Sequence, residues 1–164
     1  RREAEHSSLT GLLNRRGGDR RLTAALQRMV LSGPVAVIIC DSDGLKQVND
    51  RCGHGAGDDA LVDLARRLRT AVRAGDDVAR MGGDEFVLMM PTLAANEATS
   101  LVERMRKGLA DLGDDYPGIS GSFGLLTLMP DAQADLFALV ARADAAMLLA
   151  KRTGKNQVVV APSE

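Results

Sequence analysis

A run of six apolar residues, Val35 to Cys40, constrains the fold of this chain more than any other segment. A Gly-Pro pair precedes the run, and an acidic turn over 41–44 follows it. A short, partly β-branched apolar segment between turn signals is typical of a strand that is covered on both faces. The run is far too short for a membrane-spanning helix, which needs about 20 apolar residues. We therefore predict a central strand in a soluble fold, with no direct membrane insertion by this domain.

Helical periodicity and turn residues place the other elements around this strand. The segment Gly82-Gly83-Asp84-Glu85 lies between two short apolar runs, which predicts a β-hairpin. The core order βααββαβ after the first helix predicts an α+β fold, with a sheet that is antiparallel in part and flanked by helices. In chain order we predict a helix capped by Asn14, the strand from Val35, a short helix over 45–50, a helix entered through the glycines of 53–57 and ending near 73–75, hairpin strands over 78–81 and 86–90, a helix over 94–112, a strand over 119–128, a helix over 135–151 and a strand over 157–160.

The length of 164 residues predicts one undivided domain over 1–164, since domains commonly hold about 100–200 residues. The opening residues are charged and include no initiator methionine, so we interpret 1–8 as the end of a helix that arrives from an upstream domain. Cys40 and Cys52 have no His or Cys partner at metal-ligand spacing, which indicates a reduced, cytoplasmic setting.

Charge and aromatic content argue against nucleic acid as a partner. The net charge is −1, from 21 Lys and Arg against 22 Asp and Glu, so no basic field would attract a polyanion. With no Trp, one Tyr and three Phe, the chain also lacks the aromatic platform on which proteins stack single-stranded bases.

Acidic side chains are predicted to gather at one edge of the sheet. Asp41 and Asp43 follow the central strand and share a face if the strand continues that far, while Asp84 and Glu85 lie at the hairpin tip. Carboxylates this close raise each other's pKa unless a cation compensates. Oxygen ligands without His or Cys favour Mg²⁺ or Mn²⁺ over zinc, and Mg²⁺ usually brings substrate phosphates with it. The alternative is that both stretches are merely polar turns.

A glycine-rich segment over 53–57 opens a predicted helix, where backbone N–H groups attract anions. It lacks the lysine and hydroxyl residue of a P-loop, so a flexible helix entry is the simpler interpretation. Asn49 and Asp58 either cap a turn and a helix or together suit the N1–H and N2–H₂ edge of guanine. His54 has no acid partner in the sequence and is typical of a loop or packing histidine.

Several basic residues are candidates for ligand binding, and each also has an ordinary structural explanation. Lys46, Lys151 and Lys155 are candidates for neutralising phosphate, although the helix dipole and cap already favour a lysine at the predicted helix end. Arg73 suits the end of the preceding helix, and Asp76 suits the turn that follows.

The segment Gly82-Gly83-Asp84-Glu85-Phe86 resembles the signature of GGDEF-domain diguanylate cyclases. The likeness continues in family order over nearly the whole chain. The matching residues are Leu9-Thr10-Gly11-Leu12 with Asn14-Arg15-Arg16, then Asp41, Asp43, Lys46, Asn49, Asp50, Gly53, His54, Gly57 and Asp58, then Arg80, Ser122-Phe123-Gly124, Ala143-Asp144, and Ala150, Lys151, Gly154 and Asn156. The resemblance implies a fold like the palm of nucleotidyl cyclases and polymerases.

The resemblance also implies a cytoplasmic bacterial signalling enzyme, with a sensory or regulatory domain upstream. It would condense two GTP into cyclic di-GMP and two pyrophosphates, as a homodimer with one GTP per subunit. The catalytic positions fall to Asp84 and Glu85, and the Mg²⁺ or Mn²⁺ positions to Asp41, Asp84, Glu85 and the carbonyl of Ser42. The substrate-binding positions are Asn49 and Asp58 for guanine, Gly44, Leu45, Lys46 and Lys151 for the β- and γ-phosphates, and His54 and Lys155.

Arg73 and Asp76 resemble the RxxD inhibitory product site of the same family, so cyclic di-GMP is expected as both product and feedback inhibitor. A second basic contact is expected from Arg104 or Arg106 on a neighbouring subunit. The alternative is a catalytically inactive GGDEF domain that acts as a receptor for GTP or cyclic di-GMP, and the intact acidic tip argues against it. A cyclase or polymerase with another product is disfavoured by the guanine-reading pair.

Overall fold

The structure, a computed structural model, describes residues 2–129 and 135–162. The predicted core order βααββαβ is found, and one further helix and one further strand follow it. The elements are α1 (Arg2–Glu5), α2 (Arg15–Ser32), β1 (Val35–Asp43), α3 (Leu45–Cys52), α4 (His54–Ala71), β2 (Asp77–Gly82), β3 (Glu85–Pro91), α5 (Ala95–Ala110) with a 3₁₀ turn (Asp111–Asp114), β4 (Ser120–Leu128), α6 (Leu136–Arg152) and β5 (Gln157–Val160).

β1 lies at the centre of a five-stranded mixed sheet with the order β2-β3-β1-β4-β5. Both β3 and β4 run antiparallel to β1, and β5 runs parallel to β4. β1 does not stop at Cys40, where the apolar run ends, because Ser122 and Ser120 of β4 pair with Asp41 and Asp43 and extend the ladder. Asp41 and Asp43 therefore share one face of the sheet, since side chains alternate along a strand.

Alternate residues of β1 face two separate hydrophobic clusters. Val37 and Ile39 face the cluster that includes residues of α2 and α6, whereas Ile38 and Cys40 face the one that includes residues of α4 and α5. A strand buried on both faces needs apolar residues at every position, which explains the continuous run in the sequence. Because Asp41 continues the alternation of Ile39, its side chain lies on the α2 and α6 side of the sheet.

Two glycines permit close approaches beside the acidic end of β1. A Cβ on Gly124 of β4 would lie 2.2 Å from the Ala143 carbonyl oxygen, so the glycine lets α6 pack directly on the sheet. Gly44 has a φ of +82°, and a Cβ there would lie 2.2 Å from the Gly118 carbonyl oxygen. Glycine at position 44 therefore allows the tight turn from β1 into α3.

The N-terminal segment and the glycine-rich segment differ in detail from the prediction. Asn14 caps α2 as predicted, with its Oδ1 accepting from the Gly17 amide at 3.0 Å. The helix predicted over 1–8 ends at Glu5, because the Ser7 amide donates to the Leu12 carbonyl at 2.6 Å and closes a turn. Residues 55 and 57 lie inside the first turns of α4 and not in a loop ahead of it. No helix in the part of the chain that the structure describes is long and apolar enough to cross a bilayer.

Candidate active site

The tip of the β2–β3 hairpin lies against the acidic end of β1. Asp41 pairs in register with Glu85, and the Ser42 amide donates to the Asp84 carbonyl oxygen at 3.0 Å. The predicted proximity of these acids is confirmed, because the hairpin adds its second strand directly beside β1. We call Asp41, Asp84 and Glu85 the acidic edge.

Like charges on the acidic edge disfavour each other's ionisation. Burial raises the pKa of Asp41, and the charge of Asp84 raises it further. Burial also raises the pKa of Glu85, with added contributions from Asp144 on α6 and from Asp41. Asp144 is a neighbour to which sequence reasoning assigned no role. A cation at this edge would relieve the repulsion.

Lys151 brings a positive charge into contact with this part of the sheet. Its Nζ lies 3.1 Å from Asp41 Oδ1 and 3.0 Å from Asp43 Oδ1, and it donates to the Ser42 carbonyl oxygen at 2.8 Å. Burial opposes its charge, but the bond to Asp43 and the charges of both aspartates raise the pKa of Lys151 overall. The last turn of α6 thus places a charged ammonium group between the two aspartates.

Asp43 has more hydrogen-bond partners than its neighbour Asp41. It accepts from the hydroxyls of Ser120 and Ser122 and from the backbone amide of Asn156, besides its contact with Lys151. Burial opposes its ionisation, but these bonds lower the pKa of Asp43 overall. The sequence signal for this role is the pair of serines at positions 120 and 122 of β4, to which sequence reasoning assigned no contact with Asp43.

The acidic edge fits a divalent ion that is shared with a substrate. No three His, Cys, Asp or Glu side chains of the described residues converge into a preformed metal cage. Mg²⁺ commonly takes only one or two carboxylates and completes its shell with substrate phosphates and water. The paired carboxylates of Asp41 and Glu85, with the carbonyl of Ser42 beside them, meet that requirement with oxygen ligands alone.

The two residues expected to read guanine lie at the junction of α3 and α4. The Oδ1 atom of Asn49 is buried and has no hydrogen-bond partner among the described residues. A Cβ on Gly57 would lie 1.8 Å from that oxygen, so only glycine leaves room for the Asn49 side chain. Asp58 follows on α4 and is exposed. His54 begins α4, and only its backbone is described.

The groups expected to hold phosphates surround the turn after β1. Gly44 is the N-cap residue of α3 and has no side chain to accept a hydrogen bond. The first backbone amides of α3, from Leu45 onward, therefore have no side-chain acceptor at the N-cap. Lys46 and Lys155 are exposed, and neither forms an ion pair within residues 2–129 and 135–162. Of the predicted lysines, the structure therefore brings Lys151 into contact with the acidic end of β1 and leaves the other two in solvent.

Arg73 and Asp76 form a closed pair that we call the arginine corner. The Asp76 side chain is 1% exposed and accepts from the Arg73 amide, Nε and Nη2 at 2.9–3.1 Å. Arg73 Nη2 also donates to the Pro91 carbonyl oxygen at 2.7 Å. The Asp76 oxygens thus already accept hydrogen bonds from Arg73, whose side chain remains half-exposed.

Arg73 lines an open groove of about 520 Å³ between α4 and α5. Arg104 of the same chain lines this groove, so a second basic group is present without a neighbouring subunit. Arg106 is instead bound to the Glu103 carboxylate and donates to Asn156 Oδ1 at 2.9 Å. Arg104 is therefore the better candidate of the two for a contact with a ligand of the groove.

Comparison with known proteins identifies relatives over almost the whole chain. The sequence profile described as "Diguanylate cyclase, GGDEF domain" matches residues 4–157. The bifunctional diguanylate cyclase/cyclic di-GMP phosphodiesterase MucR of Pseudomonas aeruginosa is 40% identical over 93% of this chain and 23% of its own length. The diguanylate cyclase DgcM of Escherichia coli is 35% identical over 96% of this chain and 38% of its own length. The chain thus spans less than two fifths of either relative.

Solved structures give the same result for the fold. The GGDEF domain of DgcB from Caulobacter crescentus, solved in complex with c-di-GMP, superposes with a TM-score of 0.88 at 27% identity, covering 98% of this chain and 97% of that one. The predicted α+β class is confirmed by this superposition and by the five-stranded mixed sheet.

Proposed function

The chain belongs to the diguanylate cyclase GGDEF-domain family, and on that basis we propose that it is a diguanylate cyclase domain that condenses two GTP into cyclic di-GMP and two pyrophosphates. The observation that carries the proposal is the acidic edge, where carboxylates crowd together beside Lys151. A domain that had lost catalysis would have no need to retain such unfavourable charges. This argues against the receptor alternative.

We assign a divalent metal, Mg²⁺ in preference to Mn²⁺, to Asp41, Glu85 and the Ser42 carbonyl, with Asp84 beside them. When bound, the ion supplies charge neutralisation to the triphosphate and polarises its phosphoryl oxygens. Lys151, Lys46 and the amides of the turn at Gly44 and Leu45 hold the β- and γ-phosphates, and Lys155 adds a charge nearby.

The remaining residues position the base and move the proton. The buried Asn49 oxygen and the Asp58 carboxylate accept from the N1–H and N2–H₂ groups of guanine. His54, at the start of α4, is a substrate contact on the family resemblance alone. The 3′-hydroxyl of one GTP attacks the α-phosphorus of the other, its proton passes to Asp84, and the bond to the β-phosphate oxygen breaks to release pyrophosphate.

A homodimer follows from the stoichiometry of this reaction. One domain offers one guanine pocket and one acidic edge, whereas the product needs two nucleotides held with each 3′-hydroxyl facing the other α-phosphorus. Holding both nucleotides in this geometry supplies most of the catalysis, through proximity and fixed charges.

Product inhibition is assigned to the arginine corner. A guanidinium forks onto phosphate or onto the O6 and N7 edge of guanine, and Arg73 and Arg104 line the same groove. The DgcB domain was solved with c-di-GMP, which supports a product site in this family. Asp76 acts here through Arg73, because its oxygens already accept from that residue.

The direct test is turnover of GTP by the wild-type chain. The domain, at high concentration or fused to a dimerising helix, is incubated with GTP and Mg²⁺, and the products are identified by mass. We expect cyclic di-GMP and pyrophosphate, and no reaction after chelation. Binding of GTP or cyclic di-GMP without turnover would overturn the proposal in favour of the receptor alternative.

Base selectivity tests the guanine assignment separately. ATP presents an unprotonated N1 and no 2-amino group, so it would leave the buried Asn49 oxygen unpaired at a cost of about 1–3 kcal/mol. GTP should therefore be preferred by at least about tenfold in kcat/KM, since 1.4 kcal/mol is a factor of ten. Equal turnover of both nucleotides would show that Asn49 and Asp58 are misassigned.

A further inference from the structure

We infer that Asp43 is a positioning residue that orients Lys151, the lysine in the last turn of α6, and that it is not a metal ligand. The inference rests on the proposed function, because it takes Lys151 to be a phosphate-binding group. Asp43 shares its strand and its sheet face with Asp41, so strand alternation alone does not distinguish the two as metal ligands, whereas the family resemblance assigns the metal to Asp41.

The contacts of Asp43 fill both of its carboxylate oxygens. Oδ1 accepts from Ser122 Oγ at 2.8 Å and lies 3.0 Å from Lys151 Nζ. Oδ2 accepts from Ser120 Oγ at 2.7 Å and from the Asn156 amide at 3.0 Å. A carboxylate offers about four lone-pair sites, and all are used here. With its side chain only 3% exposed, Asp43 has no site left for a metal ion.

Two of these contacts hold Asp43 in place, and the other two link it to the end of α6 and to the turn that follows. The serines belong to β4, beside β1 in the sheet, so they hold the carboxylate on a rigid surface. Lys151 lies in the last turn of α6, and Asn156 lies in the turn between α6 and β5. Asp43 therefore binds both ends of the segment 151–156.

The backbone of that segment needs an external anchor. Lys155 and Asn156 have φ values of +62° and +46°, a conformation that residues other than glycine rarely adopt. Such conformations persist where surrounding contacts hold them, and the bond from the Asn156 amide to Asp43 is one such contact. Through it Asp43 holds the turn that carries Lys155, and by direct contact it positions the Lys151 ammonium group.

A double-mutant cycle between Asp43 and Lys151 tests this inference. The affinity for a non-hydrolysable GTP analogue with Mg²⁺ is measured by calorimetry for the wild type, Asp43→Asn, Lys151→Ala and the double variant. Asp43→Asn should weaken binding about tenfold in the wild-type background and less than about twofold when Lys151 is already Ala, because members of one network are not additive. Arg152→Ala, an exposed neighbour on the same helix turn, is the control for lost positive charge and should bind as the wild type does.

Thermal unfolding checks that each variant is folded. If Asp43→Asn does not fold, Ser120→Ala keeps the charge but loosens the carboxylate, and it should weaken binding about twofold, with the effect lost in the Lys151→Ala background. Equal weakening in both backgrounds, or none in either, would overturn the positioning role while the proposed function stands. A wild-type domain that binds no GTP analogue would overturn the proposed function and this inference with it.

Discussion

The acidic edge and the arginine corner both contain carboxylates, but the electrostatic surroundings of these carboxylates are opposite. At the corner, the buried Asp76 carboxylate accepts from three N–H groups of Arg73. At the edge, the charges of Asp84 and Asp144 raise the pKa values of Asp41 and Glu85, on top of the effect of burial. The corner is complete without a ligand, whereas the edge is left electrostatically unfavourable.

This difference separates groups that maintain the fold from groups that are available for chemistry. A satisfied carboxylate holds local structure, and its removal should cost stability. A carboxylate kept among like charges weakens the fold and is retained only where a ligand compensates it, which is the usual trade between stability and function. The same change from carboxylate to amide should therefore have opposite effects in the two regions.

The largest expected effect is on turnover. Glu85→Gln should lower the rate of cyclic di-GMP formation at least about a hundredfold, since a metal ligand and a charge at the reacting centre are lost together. The exposed Asp115→Asn is the control and should keep wild-type activity. Rates are measured by chromatography of the product at saturating GTP and Mg²⁺. A Glu85→Gln variant with more than about a tenth of the wild-type rate would show that Glu85 is not a functional group of the acidic edge.

The second-largest expected effect is on the free energy of unfolding, through the arginine corner. Asp76→Asn should lower the free energy of unfolding by about 2 kcal/mol, because buried bonds to a charged partner contribute about 1.5–3 kcal/mol and Arg73 is half-exposed to solvent. Asp59→Asn, at an exposed position on α4, should change it by less than about 0.5 kcal/mol. Urea denaturation followed by circular dichroism measures both. Equal losses would show that Asp76 has no special place in the fold.

Product inhibition measures how far the corner is also a ligand site. Arg73→Ala should raise the cyclic di-GMP concentration for half-inhibition at least about tenfold, since a forked contact to phosphate or guanine is lost. Arg66→Ala on α4, exposed and not among the residues that line the groove, is the control. Each variant is compared with its own uninhibited rate. Unchanged sensitivity in Arg73→Ala would leave the corner with a structural role alone.

The smallest effect is on the stability of the metal-free edge. The folded state raises the pKa of Glu85 above its ordinary value of 4.5, so it binds more protons than the unfolded state. Stability of the wild type should then fall as pH rises from that value through the raised folded pKa. Glu85→Gln should reduce this slope and raise the melting temperature at neutral pH by about 1 °C, which corresponds to about 0.25–0.5 kcal/mol at this chain length.

Thermal scans in a chelator across this pH range provide the measurement. Added Mg²⁺ should stabilise the wild type and have less effect on Glu85→Gln, since a ligand of the native state shifts unfolding by mass action. A variant that melts below the wild type at neutral pH without metal would contradict the electrostatic account of the edge.

The sequence by itself determined the elements and the family. Periodicity and turn residues act over a few neighbouring positions, so the central strand, the hairpin and the cap at Asn14 were all predictable from local patterns. The combined motif spacing identified the GGDEF family, which the profile match confirmed. The proximity of Asp41 to Glu85 was also predictable, once the hairpin was placed beside the first strand.

The tertiary structure decided which polar groups are satisfied. Asp43 finds Ser120 and Ser122, which lie 77 and 79 positions away in the chain, only because β4 pairs with β1 in one register. Arg104 reaches the groove that Arg73 lines only because α4 and α5 pack on one face of the sheet. Local sequence carries no information on such pairings, because they follow from sheet register and helix packing between distant segments.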